Sequence, residues 1–107
     1  MTDDPTPEVP VDQVAGATHD AAVVDVREPA EFAQGHIRGA VLMPMGQLAA
    51  RMSELDSSRP VHVICASGNR SRAMTDLLRS AGFDAYSVAG GVQAWIQSGR
   101  SVEKGTR

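Results

Sequence analysis

Short apolar runs rich in β-branched residues alternate with segments of helical period along most of this chain, and no other feature limits its fold as strongly. Ala21-Ala22-Val23-Val24-Asp25-Val26 reads as a buried strand. Glu28-Pro29-Ala30-Glu31-Phe32-Ala33 follows as a short helix with proline in its first turn. Residues 40–43 read as a brief strand stopped by Pro44, after which Leu48, Ala49, Met52 and Leu55 recur at helical spacing. Val61-His62-Val63-Ile64-Cys65 is the clearest strand. The strongest helix spans residues 70–81, with Ala73, Met74, Leu77, Leu78 and Ala81 on one face and Gly82 where a helix commonly stops. A strand at 85–88, the pair Gly90-Gly91, and a helix at 92–98 carrying Trp95 and Ile96 complete the pattern. Alternation of this kind predicts an α/β fold with a mostly parallel sheet covered by helices on both faces. It does not specify strand order.

With 107 residues, 42% of them hydrophobic and 21% charged, the chain is sized for one ordinary globular domain. Residues 1–10 are acidic and proline-rich and are expected to form a flexible tail; 99–107 are polar and expected to fray; 11–98 form the domain. No stretch is apolar enough to insert in a membrane, and no basic-then-apolar leader opens the chain, so a cytoplasmic location is expected. A single cysteine excludes a disulfide framework, and with only three unpatterned histidines beside it no metal site is expected. The formal net charge of −3 argues against a nucleic-acid surface. Residues 57–75 nonetheless contain no acid, while Arg59, Arg70, Arg72 and Cys65 all lie there. That locally positive window suits a small anionic ligand.

Cys65 ends the clearest strand and is followed by Ala66-Ser67-Gly68-Asn69-Arg70, then the strongest helix. In open α/β sheets ligands gather at the carboxyl ends of strands, where loops feed helix N-termini whose first amides lack partners. Gly68 allows the loop to curl, turning successive amides inward around the sulfur. A reference thiol with pKa near 8.5 is about 3% thiolate at pH 7, and lowering it by about two pH units takes about 2.7 kcal/mol of preferential anion stabilisation. A helix N-terminus supplies about 0.3–1 kcal/mol, or about 2 when partly buried, and amide bonds with Arg70 supply the rest. Ser67 and Asn69 are further candidate donors. The alternative is an inert core thiol continuing Val63-Ile64.

Other cysteine chemistries fit less well. Thiolate phosphatases place five residues between cysteine and arginine and usually a histidine before the cysteine; here four residues intervene and Ile64 precedes. Asp56 and Asp76 belong to other segments and offer no well-placed acid. There is no second cysteine for dithiol exchange. His62 lies three residues upstream on the same strand and so points to the opposite face from Cys65. Transfer of sulfane sulfur remains. The thiolate attacks the outer sulfur of a small anionic donor, becomes a persulfide, and passes the sulfur to a thiol acceptor, with no cofactor required. Arg70, with Arg72 behind it, is expected to attract the anion.

The chain resembles single-domain rhodanese-like sulfurtransferases over residues 11–98. The likeness rests on Asp25-Val26-Arg27-Glu28-Pro29-Ala30-Glu31-Phe32, Gly35-His36-Ile37-Arg38-Gly39-Ala40, Cys65-Ala66-Ser67-Gly68-Asn69-Arg70-Ser71 and Gly90-Gly91-Val92 with Ala94-Trp95. The resemblance implies a five-stranded parallel sheet between helices, a six-residue active loop from Cys65 to Arg70, and persulfide chemistry at Cys65. It also places Ser71 beside that loop and implies an acidic–basic cluster of Asp25, Arg27 and Glu31. Arg38 stands where the family often has proline, and Leu42-Met43-Pro44 lacks a frequent asparagine. Ala66 stands where thiosulfate-preferring members often carry arginine or lysine, so a persulfide on a protein or small thiol is an alternative donor. Asp25 and Arg27 are expected to support the cleft, His36 to pack or face substrate, Trp95 to cover the core, and Gly90-Gly91 to allow close backbone passage. A rhodanese-like module that binds a partner without turnover is the competing reading.

Overall fold

The computed structural model describes residues 5–17 and 19–105. Its strands β1 (Glu8–Val9), β2 (Ala22–Asp25), β3 (Val41–Leu42), β4 (Val61–Ile64) and β5 (Ala85–Val88) make one parallel sheet in the order β1-β5-β4-β2-β3. The helices are α1 (Val11–Gly16), α2 (Pro29–Gln34), α3 (Leu48–Arg51), which runs into a 3-10 turn at Met52–Glu54, α4 (Asn69–Ser80) and α5 (Gly91–Gln97).

The two-residue period of the strands sorts the core into two layers. Val24, Val26, Val61, Val63 and Ala85 pack with Leu48 of α3 and Leu78 of α4. Val9, Val23, Ile64 and Val88 pack on the other face with Val14 of α1 and Val92 and Trp95 of α5. All four residues of β4 are buried, as a middle strand covered on both sides requires. Complete burial of a side chain such as Leu48, Ile64 or Leu78 contributes about 1.5–3 kcal/mol. Proline opens α2, and a capping box of Glu28 and Glu31 secures its first turn. After α4, Gly82 takes a left-handed conformation at φ +96°, the stop expected for it.

The expected loose ends need correction where the structure describes them. Glu8–Val9 is the edge strand beside β5, and Val9 is buried. The Pro7 carbonyl accepts from the Ser87 amide at 2.9 Å, and Thr6 Oγ1 donates to Asp76. At the other end, His36 and Glu103 exchange backbone bonds of 2.9 and 2.8 Å, and Trp95 Nε1 donates to the Ser101 carbonyl. A polar segment needs only one well-placed apolar residue, or two free backbone groups, to dock. Average composition does not register that. The parts of the tail assignments at 1–4 and 106–107 lie outside the described residues. Helix α1 is likewise an element the apolar pattern did not indicate: six residues long, it buries little beyond Val14.

Candidate active site

Strand β3 lies at one edge of the sheet, and the chain returns past β2 to form β4 and then β5 on the far side. The order therefore reverses between β2 and β4, which opens a crevice at their carboxyl ends. Arg27 enters it from beyond β2 and the loop of residues 65–70 from beyond β4. Gly68 sits at φ +110° immediately before α4, a conformation that suits glycine. This turn brings the Gly68 amide to 3.1 Å from Cys65 Sγ and the Ser71 amide to 3.4 Å. The thiol donates to Ser71 Oγ at 3.5 Å. Ser71 Oγ donates to the Gly68 carbonyl at 3.2 Å and lies 2.7 Å from Ser87 Oγ, so with its one proton so placed Ser87 is the donor of that pair.

The loop carbonyls point the other way. The amides of Val92 and Gln93, at the start of α5, donate to the carbonyls of Cys65 at 2.9 Å and Ala66 at 3.1 Å. That contact requires Gly91: with φ at +60°, a Cβ there would lie 2.3 Å from the Cys65 oxygen and 2.6 Å from that of Ala66. Gly90-Gly91 is thus the close backbone passage anticipated for it.

Burial is the largest influence on the Cys65 thiol and opposes ionisation, but the Ser71 hydroxyl and the amides of Ser71, Gly68 and Ser67 outweigh it and bring the pKa down. The sulfur is not open, however. Cys65 is 1% exposed, because the loop wraps over it and Ser71 and Ser87 close in from the core. The electrostatics also differ from expectation. Arg70 donates to both oxygens of Glu31, at 2.7 and 2.8 Å, so α2 supplies the acid that the sequence window lacked. The hydrogen bond from Arg70 holds the Glu31 carboxyl down to about 2, and Glu31 in turn raises Arg70. Arg72 pairs instead with Glu8 at 3.6 Å, and the exposed side chains of Ser67 and Asn69 make no hydrogen bond to the sulfur. A loop residue's side chain follows its own peptide plane, and here the inward-facing groups are amides.

Asp25 and Arg27 form a buried pair: Arg27 Nη2 is 2.8 Å from Asp25 Oδ2 and also donates to the Gly35 carbonyl at 2.8 Å. Because Asp25 is fully buried and Arg27 nearly so, removing either partner would strand a buried charge. His36 is buried, stacks on Phe32 at a centroid distance of 3.7 Å, and its Nδ1 lies 2.9 Å from the Phe32 carbonyl. These contacts fix it by packing. A cavity of about 330 Å³ lies beside the loop, lined by Arg27, Glu31, Ala66, Val92, Ile96 and Val102 among others. Ser87 was missed in the sequence, although the two-residue period places it on the Ala85 face, the same layer as Cys65. The described residues contain no cluster of three or more His, Cys, Asp or Glu able to hold a metal ion, and no helix among them is long and apolar enough to cross a membrane.

Fold and site together define an α/β domain organised around a single amide-wrapped thiol at the switch point of a parallel sheet. The rhodanese-like domain profile matches residues 11–98. A sulfurtransferase of Allochromatium vinosum is 40% identical over 86 residues, covering 79% of this chain and 80% of that one. The crystal structure of a rhodanese-related protein from Thermoplasma volcanium superposes with a TM-score of 0.87 at 32% identity, over 91% of this chain and 97% of that one. A thiosulfate sulfurtransferase from Pseudomonas aeruginosa gives 0.83 at 29% identity over 94% of this chain, though only 20% of its own. The chain belongs to the rhodanese-like domain family.

Proposed function

We propose that the protein is a sulfurtransferase that carries sulfane sulfur as a persulfide on Cys65. The observation that carries this reading is the convergence of the Gly68 and Ser71 amides on the sulfur, at 3.1 and 3.4 Å. Such an arrangement favours an anion on sulfur both before and after transfer. The Cys65 thiolate attacks the outer sulfur of the donor, the donor's S–S bond breaks, and its remaining fragment leaves with the electron pair as sulfite or a thiolate. Ionisation frees Ser71 to turn its proton from the Gly68 carbonyl toward the sulfur, while Ser87 donates to Ser71. In the second half-reaction a thiol, or cyanide in vitro, removes the outer sulfur and regenerates Cys65.

Arg70 enters this scheme as a fastener. Its bond to Glu31 ties α2 to the loop, and its charge also favours the thiolate. Arg27 and Asp25 brace the crevice floor, and donors enter by the cavity beside Ala66. A free reactive thiol suits the reducing cytoplasm. Incubation of reduced protein with thiosulfate, and in parallel with an organic persulfide, is expected to add the mass of one sulfur atom, which cyanide then removes as thiocyanate. Cys65→Ser is expected to show neither adduct nor turnover; turnover equal to the parent's would reject the assignment.

A second reading, a rhodanese-like module that binds a partner without turnover, draws on two observations. Cys65 is almost fully covered, and Ile96 is 51% exposed beside the cavity. On that reading no adduct forms on Cys65 with either donor.

A further inference from the structure

The cavity beside the loop is an unusual place for a small dianion. Arg27 is the only cation among the described residues lining it, and its guanidinium is committed to Asp25 and the Gly35 carbonyl. Arg70, the cation nearest in sequence to Cys65, is held by both oxygens of Glu31. Glu31 itself lines the cavity and carries its carboxylate charge there at neutral pH. Position 66, directly after the cysteine, contributes a methyl group and no charge. Val92, Ile96 and Val102 add apolar lining, beside Gln34 and Gln93.

We propose that Glu31 determines donor choice: by occupying Arg70 and placing a fixed negative charge in the cavity wall, it turns the site away from inorganic thiosulfate, a dianion, and toward organic persulfides, which carry at most one negative charge. This rests on the sulfurtransferase reading above. With thiosulfate, the Cys65 thiolate must approach a dianion past the Glu31 carboxylate and expel a sulfite dianion past it again. With an organic persulfide, R–S–SH, the thiolate takes the outer SH to give Cys65–S–SH, and R–S⁻ departs with the electron pair of the broken S–S bond. In this reacting form the donor brings no charge to the Glu31 wall, and its R group covers Val92, Ile96 and Val102.

The test compares the parent with Glu31→Gln, using thiosulfate and the persulfide of N-acetylcysteine amide as donors and following thiocyanate release. Gln keeps an oxygen for the Glu28 amide that Glu31 now accepts at 3.1 Å, so the start of α2 is preserved. The variant is expected to lower KM for thiosulfate by about tenfold at low salt with kcat within about threefold, and the gain should shrink as salt rises. With the persulfide the gain should be smaller, so that the ratio of the two donors' kcat/KM shifts toward thiosulfate by about threefold or more, whatever a looser loop does to both. An unchanged thiosulfate KM, or equal changes with both donors, overturns the proposal and leaves the sulfurtransferase reading standing. Absence of any adduct on Cys65 with either donor overturns that reading instead, and this one with it. Should Glu31→Gln melt below the parent, Glu31→Asp decides the matter. It keeps the charge and must keep the high thiosulfate KM; a tenfold fall there counts against Glu31's charge.

Discussion

At the scale of single residues, the chemistry turns on a balance at Cys65 between burial, which favours the neutral thiol, and hydrogen bonds that favour the thiolate. Ser71 contributes to that balance through both its hydroxyl and its amide, and Ser87 fixes the hydroxyl's position at 2.7 Å. Ser71→Ala removes only the hydroxyl, leaving the amide in place. The thiol pKa should then rise. Since the rate follows the thiolate fraction, persulfide formation in the parent should climb as pH passes upward through the lowered pKa and then level off, and in Ser71→Ala the climb should come at higher pH. Stopped-flow rates across pH would show it; coincident profiles would mean that the amides alone set the ionisation. Cys65 and Gly68 could be picked out from the sequence, because a strand end followed by small residues and a helix start has few geometries available, whereas Ser71 entered only through the family resemblance. Arg70's engagement with Glu31 could not, because the acid lies on another element 39 residues away.

Between elements, the determining contact is α5 against the loop. Two amides of α5 hold the carbonyls of Cys65 and Ala66, and so keep the loop's own amides turned to the sulfur. Gly91→Ala would drive a methyl into both carbonyls and demand a left-handed conformation from a residue that resists it. We expect a loss of about 2–4 kcal/mol in stability, with a large loss of turnover in the protein that remains folded. Urea unfolding, with activity measured well below the transition, separates the two; a fully active and stable Gly91→Ala would show that α5 does not shape the loop. The helices of α2, α4 and α5 were readable to within about a residue of their ends, since each combines an apolar stripe with a proline or glycine boundary. The helix α1 was not, because Val11, Val14 and Ala15 are too few to make a stripe over six residues.

For the whole molecule, alternation of strand and helix patterns was enough to set the architecture, whereas the order β1-β5-β4-β2-β3 depends on packing between segments far apart in the chain. The edge strand shows the limit most clearly. It joins the sheet through the Val9 side chain and through the carbonyls of Pro7 and Val9, which accept from the Ser87 and Ala89 amides, in a stretch whose prolines and acids read as a tail. Val9→Asp would bury a carboxylate without a partner in the layer of Val14, Val88 and Trp95. A destabilisation of about 2–4 kcal/mol is expected from urea titration, and a shift below about 0.5 kcal/mol would mean that residues 8–9 are dispensable to the fold. Ser87 also ties this edge to the site, its amide bonded to the Pro7 carbonyl and its hydroxyl to Ser71.

All of the chemistry proposed here requires the folded chain to hold Cys65 as a thiolate more readily than a free thiol would be. Ultraviolet absorbance of the thiolate, titrated against pH with Cys65→Ser as the blank, reads that directly. The account predicts a single transition with a midpoint clearly below about 8.5. A midpoint at or above that value would contradict it.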